Sequence, residues 1–260
     1  MQPTSTRVGF IGTGIMGAHL VRHLLKARYA VAVFNRTAAK LDALVQAGAT
    51  RAESPRALAQ HCDVVFMMVG FPADVRSVLF DDGALAAMRK GSVFCDLTTS
   101  APALAREVHA KAKALGVLAL DAPVTGGDVG ARDAKLTLLV GGDAEAFKLS
   151  EPVLRLFGTP ILMGGPGAGQ LTKAANQVTI ASCMVGVVEG LLFAHEAGLD
   201  LEVYLGAIRN GAAASRSLEL YAPRLLKGDL NPGFLVKVAC FRVCRNAQAL
   251  TRTHMRSSTL

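Results

Sequence analysis

Three glycine-bearing clusters hold the residues whose types and spacing suit a reaction site. The first is Gly12-Thr13-Gly14-Ile15-Met16-Gly17, a G-x-G-x-x-G arrangement. Glycines at that spacing permit a tight turn, let backbone come against a pyrophosphate and let a helix pack closely on a strand. The helix N-terminus then attracts the anion. The second is Asp121-Ala-Pro-Val-Thr125-Gly126-Gly127, which offers a hydroxyl and two uncrowded backbone N–H groups able to hold a carboxylate. Read alone, it is equally a plain Gly-Gly turn. The third is Gly164-Gly-Pro-Gly167-Ala-Gly169-Gln-Leu-Thr-Lys173-Ala-Ala-Asn176, a glycine-rich loop entering a helix. Lys173 and Asn176 stand at i, i+3 and share a helix face. A lysine on the first turns of an apolar helix is ordinarily a surface residue, but Asn176 beside it and the loop before it favour a site.

These clusters need a scaffold, and the hydrophobic pattern supplies one. Short apolar runs at Val8–Ile11, Ala30–Phe34, Asp63–Val69, Ser92–Leu97, Val117–Leu120 and Leu136–Val140 predict buried strands. Between them, Met16–Ala27, Ala38–Ala47, Pro102–Leu115 and Ala144–Leu156 carry helical spacing. Strands alternating with helices predict a parallel, doubly wound α/β sheet covered on both faces. Beyond Gly164 no strand pattern appears, and Gly169–Ala197 reads as one long helix. The expected division is a dinucleotide-binding Rossmann domain over 1–163 and an all-helical domain over 164–260, with the boundary in the loop near Ile161–Gly167. The apolar stretch Val178–Ala194, interrupted by Glu189, reads as a buried helix rather than a bilayer span.

In that setting the glycine loop follows a strand and opens a helix, which makes the dinucleotide reading specific. The end of the second strand chooses the cofactor. An acid there would accept the ribose 2′-OH. Here the residues are Asn35, Arg36 and Thr37, and a guanidinium suits a 2′-phosphate. NADP is expected, with NAD possible; the competing reading makes Arg36 a solvated surface residue. The six histidines show no metal-ligand spacing, so no metal is expected.

Composition excludes other classes. Net charge is +8, but five of those charges (Lys237, Arg242, Arg245, Arg252 and Arg256) fall in an acid-free end, and the rest is close to balanced. With no Trp and no aromatic-interleaved basic stretch, nucleic acid is not an expected partner, nor is a membrane. Five cysteines without a CxxC pair suggest a reducing compartment. The N-terminus has no signal core, and Arg7, Arg22 and Arg28 do not make a transit peptide. The expectation is cytoplasmic, with mitochondria possible.

Together the motifs resemble the β-hydroxyacid dehydrogenase family, which includes 3-hydroxyisobutyrate dehydrogenase and tartronate semialdehyde reductase. Phe10–Gly17 resembles its cofactor signature, and Asp121–Gly127 its D-A-P-V-S-G-G substrate motif with Thr125 in place of serine. Gly164–Asn176 matches its G-x-x-G-x-G-x-x-x-K-x-x-N pattern. The resemblance runs from about Arg7 to Phe234. It implies Lys173 as the catalytic residue, Thr125, Gly126, Gly127 and Asn176 on the substrate, and a cofactor contact set of Gly12 to Gly17, Asn35 to Thr37, Val69 and Thr99. It implies interconversion of a small hydroxyacid and its aldehyde or keto acid, and a homo-oligomer. Tartronate semialdehyde, glyoxylate, succinic semialdehyde and methylmalonate semialdehyde all fit a carboxylate grip.

The chain departs from the family after Lys237, where a helix bearing a Lys-Asp-Leu element is expected and Val238-Ala-Cys-Phe-Arg-Val-Cys stands instead. The expectation is an atypical, shortened end, either an altered frame or a lineage variant. The competing function is therefore an NADP-binding protein with impaired catalysis, used for binding or interaction.

Overall fold

The computed structural model describes residues 1–231. What the sequence predicts for the chain after residue 231, including the atypical end, lies outside the described residues. Among the described residues nine strands form one sheet: β1 Arg7–Ile11, β2 Ala30–Phe34, β3 Thr50–Arg51, β4 Val64–Met67, β5 Val93–Asp96, β6 Leu118–Asp121, β7 Val124–Thr125, β8 Leu136–Gly142 and β9 Gly158–Gly164. Their order is β3-β2-β1-β4-β5-β6-β8-β7, with β9 also on β8. The first six strands in that order run parallel. β8 runs antiparallel to β6 and β7, while β9 runs parallel to β8. The sheet is therefore mixed rather than wholly parallel. Residues 126–135 join β7 to β8 and include only the six-residue helix Gly127–Arg132, a connection shorter than a parallel crossover needs, so β8 runs back antiparallel.

The helices are α1 Ile15–Lys26, α2 Asp42–Gln46, α3 Pro55–His61, α4 Pro72–Arg76, α5 Ala84–Ala87, α6 Pro102–Ala114, α7 Gly127–Arg132, α8 Ala144–Leu154, α9 Ala168–Glu196, α10 Leu201–Ile208 and α11 Arg216–Leu226. The predicted helix over Ala38–Ala47 opens as a 3-10 turn, Ala38–Leu41, before α2. Local chemistry explains several starts. Ser54 Oγ accepts Ala57 N–H at 3.1 Å with Pro55 next in line, Asp200 Oδ1 accepts Glu202 N–H at 2.9 Å, and Ser215 Oγ accepts Leu218 N–H at 3.0 Å.

Residues Met1–Lys173 form one compact unit, and the described residues 174–231 belong to a second. By internal packing the division falls inside α9, after Lys173. Ile161–Gly164 lies in β9, so only the next three residues form the turn into the helix. In the first unit, strand residues that point to one face of the sheet, such as Phe10, Phe66 and Val93, pack with Leu20, Val21 and Leu24 of α1 and Phe157. Those on the other face, such as Ile11, Val65, Met67 and Phe94, pack with Leu58 of α3 and with Leu104, Val108 and Ala112 of α6. Phe66 meets Phe157 edge to face at 5.3 Å between ring centres.

The second unit has its own small core of Val187, Leu191, Leu205, Leu218 and Ala222. That core covers only one stripe of α9, so the buried helix expected over Val178–Ala194 is a correction. Val178, Val185, Leu192 and Phe193 are each more than half exposed. At 29 residues and a mean hydropathy of 1.7 over its most apolar window, α9 is by length and composition long enough to cross a membrane. The same test is passed by helices of soluble proteins.

Candidate active site

β1, β2, β4, β5 and β6 are parallel, so their carboxyl ends share one edge of the sheet. The chain leaves β1 to build β2 on one side and later returns to build β4 on the other, which makes the β1/β4 position the topological switch point where ligand crevices open. Residues 12–17 leave β1 there and Val69 lies just past β4. Thr98 to Ser100 follow β5, and Asp121 ends β6. Thus the predicted cofactor residues, scattered over nearly ninety positions of sequence, sit along one edge.

The glycine loop is built as its spacing requires. Gly12 has φ +95°, and a Cβ on it would collide with the Met68 carbonyl; a Cβ on Gly17 would collide with the Gly12 carbonyl. Gly14 is different, because a Cβ there would enter open space. Gly14 caps α1 with no side-chain hydrogen bond and no acid follows in the first turn, so this helix end has no anion of its own. Thr13 Oγ1 is buried and without a hydrogen-bond partner among the described residues. An open glycine, an uncapped helix end and an orphaned hydroxyl fit the pyrophosphate of a dinucleotide.

Asn35 is committed to holding this loop. Its Oδ1 accepts Thr13 N–H at 3.2 Å and its Nδ2 donates to the Thr37 carbonyl at 3.0 Å. Arg36 is 80% exposed at its side chain and pairs with Asp74 at 3.0 Å. Asp74 also accepts Phe71 N–H at 2.9 Å, at the start of α4. Sequence reasoning missed Asp74, which lies 38 residues from its partner on an element that shows only as a Pro after an apolar strand.

On the other side of the crevice, Val69 N–H donates to Thr98 Oγ1 at 3.0 Å, and Thr98 N–H donates to Asp96 Oδ1 at 2.9 Å. Thr99 is buried between Thr98 and Ser100. Asp96 and Asp121 are register partners on adjacent strands and both are buried. Burial pushes the Asp96 carboxyl up to about 7 despite its bonds to Thr98, with the Asp121 charge adding to the rise. Burial likewise pushes Asp121 up to about 6, against the pull of backbone N–H bonds, two of them from the start of α9, and of Arg106.

Those two N–H groups belong to Gly167 and Gln170, each 2.8 Å from an Asp121 oxygen. The glycines of the third cluster explain themselves here. A Cβ on Gly169 would collide with the Leu139 carbonyl and come within 2.9 Å of Asp121 Oδ2, and a Cβ on Gly141 would lie 2.6 Å from Asp121 Oδ1. The helix start is therefore pressed against the sheet. Lys173 follows one turn later and is 6% exposed. Thr125 ends β7, with Gly126 at φ +125° and Gly127 at φ +67°, both exposed. Asn176 lies in the second unit, where its Nδ2 donates to Gln177 Oε1 at 3.1 Å. Asp121, Gln170 and Ser100 were not expected as site residues; nothing in their local sequence marks a contact that spans 46 to 72 positions. Among the described residues no cluster of metal-ligand side chains occurs.

The chain is similar to known proteins over most of its length. The sequence model described as the NAD binding domain of 6-phosphogluconate dehydrogenase matches residues 7–165. That described as the NAD-binding part of NADP-dependent 3-hydroxyisobutyrate dehydrogenase matches residues 167–250, past Phe234. The chain is 48% identical over 248 residues to the probable 3-hydroxyisobutyrate dehydrogenase-like 1, mitochondrial, of Arabidopsis thaliana, covering 94% of this chain and 74% of that one. It is 37% identical over 232 residues to the 2-hydroxy-3-oxopropionate reductase of Escherichia coli, covering 88% and 79%. The solved 3-hydroxyisobutyrate dehydrogenase of Mycobacterium tuberculosis with L-serine superposes with a TM-score of 0.87 at 28% identity, covering 100% of this chain and 89% of that one. The glycine loop at the switch point, the lysine-bearing helix pressed on the sheet and these matches agree: the chain belongs to the β-hydroxyacid dehydrogenase family of NAD(P)-dependent hydroxyacid oxidoreductases.

Proposed function

We propose that the chain interconverts a small carboxylate-bearing aldehyde and its hydroxyacid with Lys173 as the catalytic residue and NADP as the preferred dinucleotide. The observation that carries this reading is a buried lysine on the first turns of a helix whose start is fixed against the crevice edge of the sheet. When bound, the nicotinamide cofactor supplies or accepts a hydride at carbon. As the carbonyl is reduced, its oxygen gains negative charge. The Lys173 ammonium stabilises that charge and delivers one proton to it, and the resulting amine recovers a proton from water. Thr125 Oγ1 and the N–H groups of Gly126 and Gly127 grip the substrate carboxylate, and Asn176 orients the substrate or the lysine.

Arg36 supports the choice of NADP, because it stands where an acid would otherwise reject a 2′-phosphate and its guanidinium is mostly exposed. Its pairing with Asp74 weakens the preference, which leaves NAD usable. The exposed apolar residues of α9 support a homo-oligomer through the helical unit. Free Cys62, Cys95 and Cys183 suit the reducing cytoplasm or mitochondrial interior.

The test is NADPH oxidation with tartronate semialdehyde, glyoxylate, succinic semialdehyde and methylmalonate semialdehyde, with Lys173→Ala beside the unaltered chain. The expected result is turnover with at least one of these, lost by about 10³-fold in the variant while NADPH still binds. Retained turnover in Lys173→Ala removes the lysine from its role. Absence of turnover by the unaltered chain, with NADPH bound, favours the binding-protein reading.

A further inference from the structure

The first turn of α9 is held from two sides by groups outside both the glycine loop and the Thr125–Gly127 segment. From β6, Asp121 Oδ1 accepts Gly167 N–H and Oδ2 accepts Gln170 N–H, both at 2.8 Å. From the segment after β5, Ser100 N–H donates to Gln170 Oε1 at 2.7 Å, and Gln170 Nε2 donates to the Thr98 carbonyl at 2.8 Å. Gln170 is fully buried, and Asp121, Thr98 and Ser100 are nearly so. Both oxygens of the carboxylate and both ends of the amide are therefore used. A slip of the helix by one residue would strand buried donors and acceptors at about 1–3 kcal/mol each, so this turn has one register.

What the clasp joins gives it meaning. Gln170 binds the two residues that flank Thr99, and Thr98 in turn binds Val69. Asp121 opens the segment that ends in Thr125, Gly126 and Gly127. Lys173 lies three residues after Gln170, on the same helix face. The clasp touches the cofactor-side segment, the substrate-side segment and the helix of the proton donor at once.

We propose that Asp121 and Gln170 are positioning residues for the reaction, fixing where Lys173 stands relative to Thr99 and the Thr125–Gly127 segment. The proposal rests on the reading of Lys173 given above. Reactions that need a donor, an acceptor and a reacting carbon in line lose about 10²-fold for a misplacement near 1 Å, and a hydrogen-bonded clasp with no alternative register is a means of preventing one.

Two variants of the full chain test it. Gln170→Met keeps the length of the side chain and removes both of its hydrogen bonds; Asp121→Asn keeps shape and one acceptor. NADPH affinity and stoichiometry are measured by calorimetry. kcat and KM are taken with the four aldehyde-acids, and the primary isotope effect with NADPH deuterated at the transferred position. The expected result is kcat per bound NADPH down about 10- to 100-fold, with KM and the NADPH Kd within about threefold. The isotope effect on kcat rises, because hydride transfer becomes slower than product release. Unchanged kcat and isotope effect overturn the proposal. So does a loss of kcat matched by an equal loss of NADPH-binding sites, which is what a bond that only stabilises the fold gives; Gln170→Met decides if Asp121→Asn does not fold. Lys173→Ala run alongside separates the two readings. Turnover retained there removes the lysine's role, whereas an inactive Lys173→Ala beside a normal Gln170→Met removes the clasp alone.

Discussion

Two glycine-rich loops deliver the chain into helices, Gly12–Gly17 into α1 and Gly164–Gly169 into α9, and their helix ends meet different partners. Ahead of α1 the cap is a bare glycine facing open space, with no acid in the first turn and a buried Thr13 hydroxyl left over. Ahead of α9 a carboxylate from the neighbouring strand occupies the same kind of position and takes the N–H groups of Gly167 and Gln170. Helix N-termini attract anions in both cases. At α9 the anion is the protein's own, so the glycines there serve close packing on the sheet. The composition of such a loop does not decide between a ligand cradle and a structural joint; the residue on the adjacent strand does.

The contrast is sharpest for added methyl groups. Gly14→Ala puts its Cβ into the open side of the first loop, so the NADPH Kd rises on the order of 10²-fold, the equivalent of one or two lost charge-assisted hydrogen bonds, while Tm holds. Gly169→Ala drives its Cβ into the Leu139 carbonyl and costs about 1–3 kcal/mol of stability, read by denaturant unfolding. If Gly14→Ala lowers Tm and leaves binding intact, the two loops have been assigned the wrong way round.

A smaller effect probes the edge of the cofactor crevice. Arg36→Ala lowers kcat/KM for NADPH by about tenfold with little change for NADH, since only the former carries a 2′-phosphate. Asp74→Asn keeps an acceptor for Phe71 N–H but removes the charge beside Arg36, and shifts preference toward NADPH by a few-fold (about 1 kcal/mol or less for an exposed pair). Equal responses for both cofactors would remove Arg36 from cofactor choice.

The remaining expected change is a pH dependence of stability. Asp96, pushed up to about 7 by burial, holds its proton in the folded state at pH values where the unfolded chain has released it. Its contribution is therefore complete below about pH 4 and is lost as pH rises toward 7. Asp96→Asn retains the acceptor for Thr98 N–H and does not titrate. Its stability relative to the unaltered chain should rise between pH 5 and pH 8 by on the order of 2–3 kcal/mol, from roughly two pH units at about 1.4 kcal/mol each, read as a relative rise in Tm. A constant difference would mean that Asp96 is ionised throughout.

The strands that are buried on both faces were legible because such strands read as continuous apolar runs: Val8–Ile11 falls inside β1, and the runs Asp63–Val69 and Ser92–Leu97 contain β4 and β5. Strands with little apolar content were not. β3 and β7 are two residues long, and β9, Gly-Thr-Pro-Ile-Leu-Met-Gly, carries the Gly and Pro of a loop. The exposed faces of α9 were misread as buried because hydropathy records what a side chain prefers, not how much of the helix its neighbours cover.

The sequence alone determined the doubly wound plan, the glycine loop and the lysine-bearing helix, since each rests on residues within a turn or two of one another, where backbone geometry follows from side-chain type. Tertiary structure decided what each helix end holds. Asp121, Ser100 and Thr98 reach Gln170 and Gly167 only because β5 and β6 are neighbours in the sheet, and Asp74 reaches Arg36 only because α4 starts beside the end of β2. Hydrogen bonds and charge pairs act over a few ångströms of space, and the separation of their partners along the chain leaves no local trace.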